Sequence, residues 1–227
     1  MSYCDSCAVR DQAICAALDS SELAALNVIG RRRTLEAGEP LIWEGDDSIL
    51  VANVIDGILK LSTGTEDGRE QIVGVLYPAD FIGRPFGATT RHSVTALTDA
   101  RVCVFARGDF DRFAGEHPAL EHKLLQRTLA ELDRTRSWML LLARKNAEEK
   151  IATFLLDMAD RLAAPGAPPL ERFDLPFSRQ QIGDVLGLTI ETVSRTLTRF
   201  EREKLLVIVA GGVRLLDPSR AAAMAAA

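Results

Sequence analysis

Ser178-Arg179-Gln180-Gln181-Ile182-Gly183-Asp184-Val185-Leu186-Gly187-Leu188-Thr189-Ile190-Glu191-Thr192-Val193-Ser194-Arg195-Thr196-Leu197-Thr198-Arg199-Phe200 is the stretch that decides the fold. Ser178 followed three residues later by Gln181 is a capping-box pattern, each side chain satisfying the other residue's backbone N–H. A helix follows through Ile182, Val185 and Leu186. Gly187-Leu188-Thr189 breaks it, and Gly187 suits the left-handed conformation at a helix end. Thr189 then caps a second helix. Two short helices joined by a three-residue turn containing Gly predict a helix-turn-helix. In the second helix Val193, Leu197 and Phe200 form the apolar side and face the partner helix. Glu191, Thr192, Ser194, Arg195 and Arg199 lie on the other side. Such a helix reads bases with residues near its N-terminus. Arg195 offers two donors to guanine O6 and N7, Glu191 an acceptor to the cytosine N4 amine, and Ser194 a small group for a base or a thymine methyl. Arg199, Arg202 and Arg179 suit phosphates, which give affinity without sequence information. The plain alternative is a solvated charged face, but cap, turn and apolar register all agree with the motif. Downstream, Leu206–Val209, Ala210-Gly211-Gly212 and Val213–Leu216 read as a β-hairpin, a wing beside the helices.

Working towards the N-terminus, Ala164-Pro165-Gly166-Ala167-Pro168-Pro169 ends a helix spanning Asn146 to Leu162. Before it, about Pro118 to Leu142 reads as one long helix. Its apolar seam, Leu125, Leu129, Leu132, Met139 and Ala143, steps by four and three and is interrupted by Arg136. That is a heptad seam, long enough to pair with a second copy of itself. Packing on its own domain is the alternative, and dimerisation is favoured because the preceding strands already supply a self-contained core. Residues 28–107 alternate short apolar runs with Gly, Asp and Pro: 41–43, 50–55, 58–61, 71–76, 93–97 and 102–105. Asp56-Gly57 and Asp67-Gly68 are hairpin signals between such runs. Regularly spaced short strands predict an antiparallel barrel or roll. Residues 19–27 read as a short helix, and Ala221–Ala227 as a frayed helix end.

The predicted fold class is therefore α+β: an N-terminal antiparallel β-roll, a long dimerisation helix and a C-terminal winged helix-turn-helix. The expected divisions are 1–18 (cysteine-rich), 19–115 (roll), 116–145 (dimerisation helix) and 146–227 (winged helix). The 227 residues are 47% hydrophobic and 26% charged, which excludes wholesale disorder. No apolar run approaches the length of about 20 residues needed to span a bilayer. No basic and then apolar leader opens the chain, so a cytoplasmic, membrane-free protein is expected. Net charge is −5, unevenly spread: residues 1–118 carry 11 Lys and Arg against 18 Asp and Glu, and residues 119–227 carry 16 against 14. An acidic front and a mildly basic back fit a sensor joined to an anion-binding module. No nucleophile–base pair, Walker loop or paired-carboxylate site stands out, so an enzyme is not expected.

Three of four cysteines fall in the first fifteen residues, Cys4, Cys7 and Cys15, and the fourth is Cys103. Clustered cysteines in a reducing compartment point to metal or redox ligands rather than disulfides. Four thiolates suit either a structural zinc ion or a [4Fe-4S] cluster. The three histidines, His92, His117 and His122, lie far from this group, which disfavours a mixed Cys/His zinc site. The competing reading makes Cys7 and Cys15 incidental and Cys103 a small buried hydrophobe in the run Ala100–Phe105. Spacing alone leaves both open.

The order of parts resembles the CRP/FNR family of bacterial transcription regulators over nearly the whole chain. Leu141–Lys150 looks like the family's helix before the DNA domain, and Leu188–Arg195 like its recognition helix, of the E-x-x-S-R type used by the FNR branch. The resemblance implies that Glu191, Ser194 and Arg195 read a TTGAT-like half-site in double-stranded DNA, repeated as a palindrome for a homodimer that acts with RNA polymerase. It also implies an oxygen-labile [4Fe-4S] cluster on Cys4, Cys7, Cys15 and Cys103, a layout matching that branch one for one. Two features depart from the pattern: Cys4 lies close to the start, and the seven-residue gap before Cys15 is wide. Before Trp138 the branch often has an acidic residue; here it is Ser137. The family's cyclic-nucleotide site uses a Gly-Glu-Leu turn and an Arg-Ser pair. The stretch Asp80–Ser93 has neither, so a cyclic-nucleotide-responsive or effector-independent regulator is the second expectation. A haem relative would have only His92 to offer as a loop ligand.

Overall fold

The computed structural model describes residue 4, residues 6–87 and residues 89–226. The chain divides into two compact units, residues up to Asp133 and residues from Arg134. The division falls inside the long helix predicted from the sequence, rather than at its end.

In the first unit a short 3-10 turn, Ile14–Ala17, precedes helix α1 (Ser20–Ile29). Asp19 caps α1 by accepting from the N–H groups of Ser21 and Glu22, while Glu22 returns to the Asp19 N–H at 2.9 Å. The strands are β1 (Gly30–Leu35), β2 (Pro40–Ile42), β3 (Leu50–Asp56), β4 (Leu59–Gly64), β5 (Glu70–Leu76), β6 (Phe81–Ile82), β7 (Ser93–Ala96) and β8 (Ala100–Ala106). They form two antiparallel four-stranded sheets, ordered β1-β8-β3-β6 and β2-β7-β4-β5. Helices α2 (Arg107–Glu116) and α3 (Pro118–Arg144) follow. The β-roll expectation holds, with two corrections. Asp67-Gly68 does join a hairpin, β4 to β5. Asp56-Gly57 does not: β3 and β4 belong to different sheets, and this turn carries the chain from one to the other. The strand-period reading also passed over β1, whose Arg31-Arg32-Arg33 run has no apolar alternation.

The sheet containing β3 and β8 is covered on both faces, which is why β3 is buried from Val51 to Ile55 without alternation. One face, with Ala52, Val54 and Val102, packs against Leu59, Val94 and Ala96 of the other sheet. The opposite face carries Val51 and Phe105, packed with Ile14, Leu23, Leu26, Phe110, Phe113 and Leu120. Side chains alternate along a strand, so Asn53 and Cys103 share this second face with Val51 and Phe105.

In the second unit, Asn146 caps helix α4 (Ala147–Arg161) in a capping box with Glu149. Strand β9 (Arg172–Asp174) leads to helices α5 (Arg179–Leu186) and α6 (Ile190–Arg202), then to β10 (Leu206–Val209) and β11 (Gly212–Leu215). The wing has three strands, ordered β10-β11-β9; β9 was too short to read from the sequence. Lys150 is buried, and its Nζ donates to the Leu186 carbonyl at 3.1 Å, placing a cation at the C-terminus of α5. Helix α7 (Pro218–Ala226) follows, with Ala221 buried and Lys145 Nζ donating to the Ala225 carbonyl; the last residue of the expected helix end, Ala227, lies outside the described residues.

Candidate nucleic-acid interface and cysteine cavity

The helix-turn-helix forms as its caps predict. Ser178 Oγ accepts from Gln181 N–H at 3.1 Å, and Gln181 Oε1 from Ser178 N–H at 2.9 Å. Gly187 adopts φ 62°, and Thr189 Oγ1 accepts from Thr192 N–H at 3.3 Å. A Cβ on Gly183 would stand 2.4 Å from the Leu188 carbonyl oxygen, so the turn needs a glycine there. Val193, Leu197 and Phe200 are fully buried, which fixes the rotation of α6. Glu191 and Arg195 are exposed one turn apart, with Ser194 half-buried beside them. Arg195 Nη2 reaches Thr192 Oγ1 at 3.4 Å, long for a hydrogen bond. The Glu191 carboxyl is held below the usual carboxylate range by a backbone N–H and the Thr189 hydroxyl, so it is an acceptor at neutral pH.

Arg199, expected to meet a phosphate, is paired with two carboxylates. Its Nε donates to Glu203 Oε1 at 2.7 Å, and its Nη1 pairs with Glu148. Arg220 binds the other oxygen of Glu203 at 2.6 Å. Asn146, Glu148, Thr192, Arg195 and Arg199 line a groove of about 450 Å³ between α4 and α6. A phosphate at Arg199 would compete with two carboxylates already there. Arg179 is half-buried at the first residue of α5.

Cys4, Cys7, Cys15 and Cys103 converge on one cavity of about 40 Å³ in the first unit. None of the four is in a disulfide and all are half-buried; Cys4 Sγ donates to Asn27 Oδ1 at 3.4 Å. Burial pushes the Cys15 thiol up to about 12, and the neighbouring Cys4 and Cys7 add to the shift. Cys103 is likewise pushed up to about 12 by burial and by Cys15, Cys4 and Cys7. As thiolates these four would repel one another; Arg10 beside Cys15 and Arg32 beside Cys103 offset part of that. Arg32 is the cross-strand partner of Cys103 on β1, and Asn53 is its partner on β3. A Cβ on Gly30 would meet Phe105 Cε1 at 2.7 Å and Cys103 Sγ at 3.4 Å, so this wall of the cavity needs a residue without one. Among the described residues no set of three or more Cys, His, Asp or Glu side chains has the spacing to hold a single metal ion. A multi-iron cluster, several atoms across, is gripped by sulfurs standing farther apart than those around a tetrahedral zinc. The donor set, all thiol in a largely apolar pocket, fits the cluster.

Of the seam, Leu125 and Leu129 on the first-unit part of α3 are exposed, as is Leu132. Met139, on the second-unit part, is 66% exposed. A row of exposed leucines on one helix is an unmet apolar face. Sequence reasoning missed Arg10, Arg32 and Asn53 as cavity residues. The signal for Asn53 was present: it is the lone polar residue in the run Leu50–Ile55.

A winged helix-turn-helix carried behind a β-roll and a long helix defines a DNA-binding regulator. Residues 149–223 match the Crp-like helix-turn-helix domain, and residues 32–117 the cyclic nucleotide-binding domain. The chain is 42% identical over 226 residues to the nitrogen fixation regulation protein FixK of Bradyrhizobium diazoefficiens, covering 99% of this chain and 94% of that one. It is 44% identical over 225 residues to the transcriptional activator protein FnrL of Cereibacter sphaeroides, covering 94% and 90%. The solved structure of FixK2 from Bradyrhizobium japonicum superposes with a TM-score of 0.80 at 33% identity, covering 88% of this chain and 98% of that chain. This chain belongs to the CRP/FNR family and is a DNA-binding transcription regulator of its FNR/FixK group.

Proposed function

We propose that the protein is an oxygen-responsive transcription regulator, active as a cytoplasmic homodimer on a palindromic TTGAT-like site while Cys4, Cys7, Cys15 and Cys103 hold a [4Fe-4S] cluster. The observation that carries this reading is the convergence of four thiols, three from the first fifteen residues and one from β8, on a single cavity. When bound, the cluster supplies an oxygen-labile cross-link between the N-terminal segment and the roll. The protein's own residues do the rest. Arg10 and Arg32 offset the negative charge of the thiolates, and the apolar lining keeps water out. Cys4, Cys15 and Cys103 pack on the same core as Leu120 and Leu124 of α3, so the state of the cavity bears on the helix with the exposed seam. Glu191, Ser194 and Arg195 read the half-site, and Arg179 steadies the helix pair on the phosphates. The bound dimer then acts through RNA polymerase. A ligand or state that favours the DNA-competent dimer shifts the equilibrium only by its differential affinity for that form.

The test is DNA binding by fluorescence anisotropy on anaerobically purified protein, before and after exposure to air. Loss of palindrome binding with loss of visible absorption is the expected result. Binding that is unchanged by air, or that depends on added cyclic nucleotide, contradicts the reading.

A further inference from the structure

Asn53 sits in the middle of an otherwise apolar strand and is only 2% exposed. Both polar atoms of its carboxamide, Oδ1 and Nδ2, are buried without a hydrogen-bond partner among the described residues. An unsatisfied buried amide is destabilising, and such groups in a folded protein call for an explanation. This one has an address. Asn53 pairs in register with Cys103 across β3 and β8, so the two side chains stand on the same sheet face, with Cβ atoms about 4.5–5.5 Å apart. Both line the cavity into which Cys4, Cys7 and Cys15 also face. Phe105 and Ile55 share the lining and offer no hydrogen-bonding side chain. Leucine has the same branched skeleton as Asn53 with no such penalty. The amide is therefore free to bond a group held in the cavity.

We propose that Asn53 is a positioning residue for the iron–sulfur group: its Nδ2–H donates to a sulfur at the Cys103 corner and tunes the reduction potential. The inference rests on the cluster reading above. A hydrogen bond to sulfur stabilises the more negative, reduced state more than the oxidised one, so it raises the potential. In iron-free protein the same amide has nothing to serve and only destabilises.

The test uses full-length protein purified without air: the wild type, Asn53→Leu, which removes the donor and keeps the branching, and Asn53→Asp, which replaces it with an acceptor. Each is measured for iron and sulfide, for midpoint potential by redox titration, and for chemical unfolding after iron removal. The expected order of potentials is wild type, then Leu, then Asp. Asn53→Leu should shift the one-electron equilibrium about tenfold, a fall of ~59 mV. Iron-free Asn53→Leu should unfold at higher denaturant than iron-free wild type. If Asn53→Leu loses the cluster while its iron-free form is as stable as wild type or more so, the amide is needed to hold the group, and the inference stands. A wild type with a full cluster and the same potential as Asn53→Leu overturns this inference alone. So does a less stable iron-free Asn53→Leu, which would make Asn53 a packing residue. A wild type without iron and sulfide overturns both this inference and the cluster reading.

Discussion

Arg127 of α3 donates through Nη2 to the backbone carbonyl of Gln12, between Cys7 and Cys15. The bond ties the cysteine-bearing segment to the helix that carries Leu125, Leu129 and Leu132. Ile14 and Leu120 join the two again in one apolar core. A change at the cysteine cavity thus has a short covalent and hydrogen-bonded route to α3.

Arg127→Ala should weaken that route without touching a cysteine. Cluster content should match wild type. The ratio of DNA affinities between cluster-loaded and cluster-depleted protein should narrow by about fivefold, the lower range of allosteric couplings. An unchanged ratio would show that the coupling runs elsewhere.

Leu132→Asp places a charge in the exposed seam. The variant should sediment as a monomer and bind a palindromic site about a hundredfold more weakly, since the two half-sites no longer reinforce each other. An intact dimer would remove the seam from the interface. Ser137 puts no negative charge beside Trp138, so wild type should retain some dimer after cluster loss, measurable in the same sedimentation runs.

Arg195→Ala should weaken binding to the correct half-site by about 1–3 kcal/mol and relax preference at one base pair. Glu191 brings a negative charge to a polyanion, which is unfavourable unless it accepts from a base amine. Glu191→Ala should therefore reduce discrimination more than it reduces non-specific affinity. A binding series over single-base variants of TTGAT decides this. Equal losses at every sequence for both variants would move the recognition role to other residues.

The pairing of Arg199 with Glu148 and Glu203 yields a prediction opposite to that for a free phosphate-binding arginine. Glu148→Gln should release the guanidinium, raise affinity for all DNA sequences alike and steepen the salt dependence by about one unit of slope. Unchanged affinity and slope would mean that Arg199 stays with Glu203 and takes no phosphate.

What the sequence made legible follows physical lines. The helix-turn-helix was readable to the residue, because caps, a left-handed glycine and a 3.6 period are local signals. The assignment of Asp56-Gly57 to a hairpin failed because the same dipeptide serves a tight turn and a crossing between sheets, and only long-range pairing distinguishes them. β1 was hidden because Arg31-Arg32-Arg33 owe their strand to pairing with β8, not to their own pattern. The four cysteines were visible as a set, but their meeting in one cavity depends on the parity that puts Cys103 on the outer face of its sheet. The carboxylate partners of Arg199 were not legible in the sequence because they lie 51 residues before it and four after.

The central claim is that the four thiols hold one [4Fe-4S] cluster. Its most direct measurement is iron and acid-labile sulfide per chain, with the visible spectrum, on anaerobically purified wild type and the four single Cys→Ser variants. The account predicts about four iron and four sulfide per wild-type chain, with broad visible absorption. It predicts loss of that absorption in Cys4→Ser, Cys7→Ser, Cys15→Ser and Cys103→Ser alike. A colourless, sulfide-free wild type that still binds the palindrome, or a Cys103→Ser variant that keeps a full cluster, would contradict it.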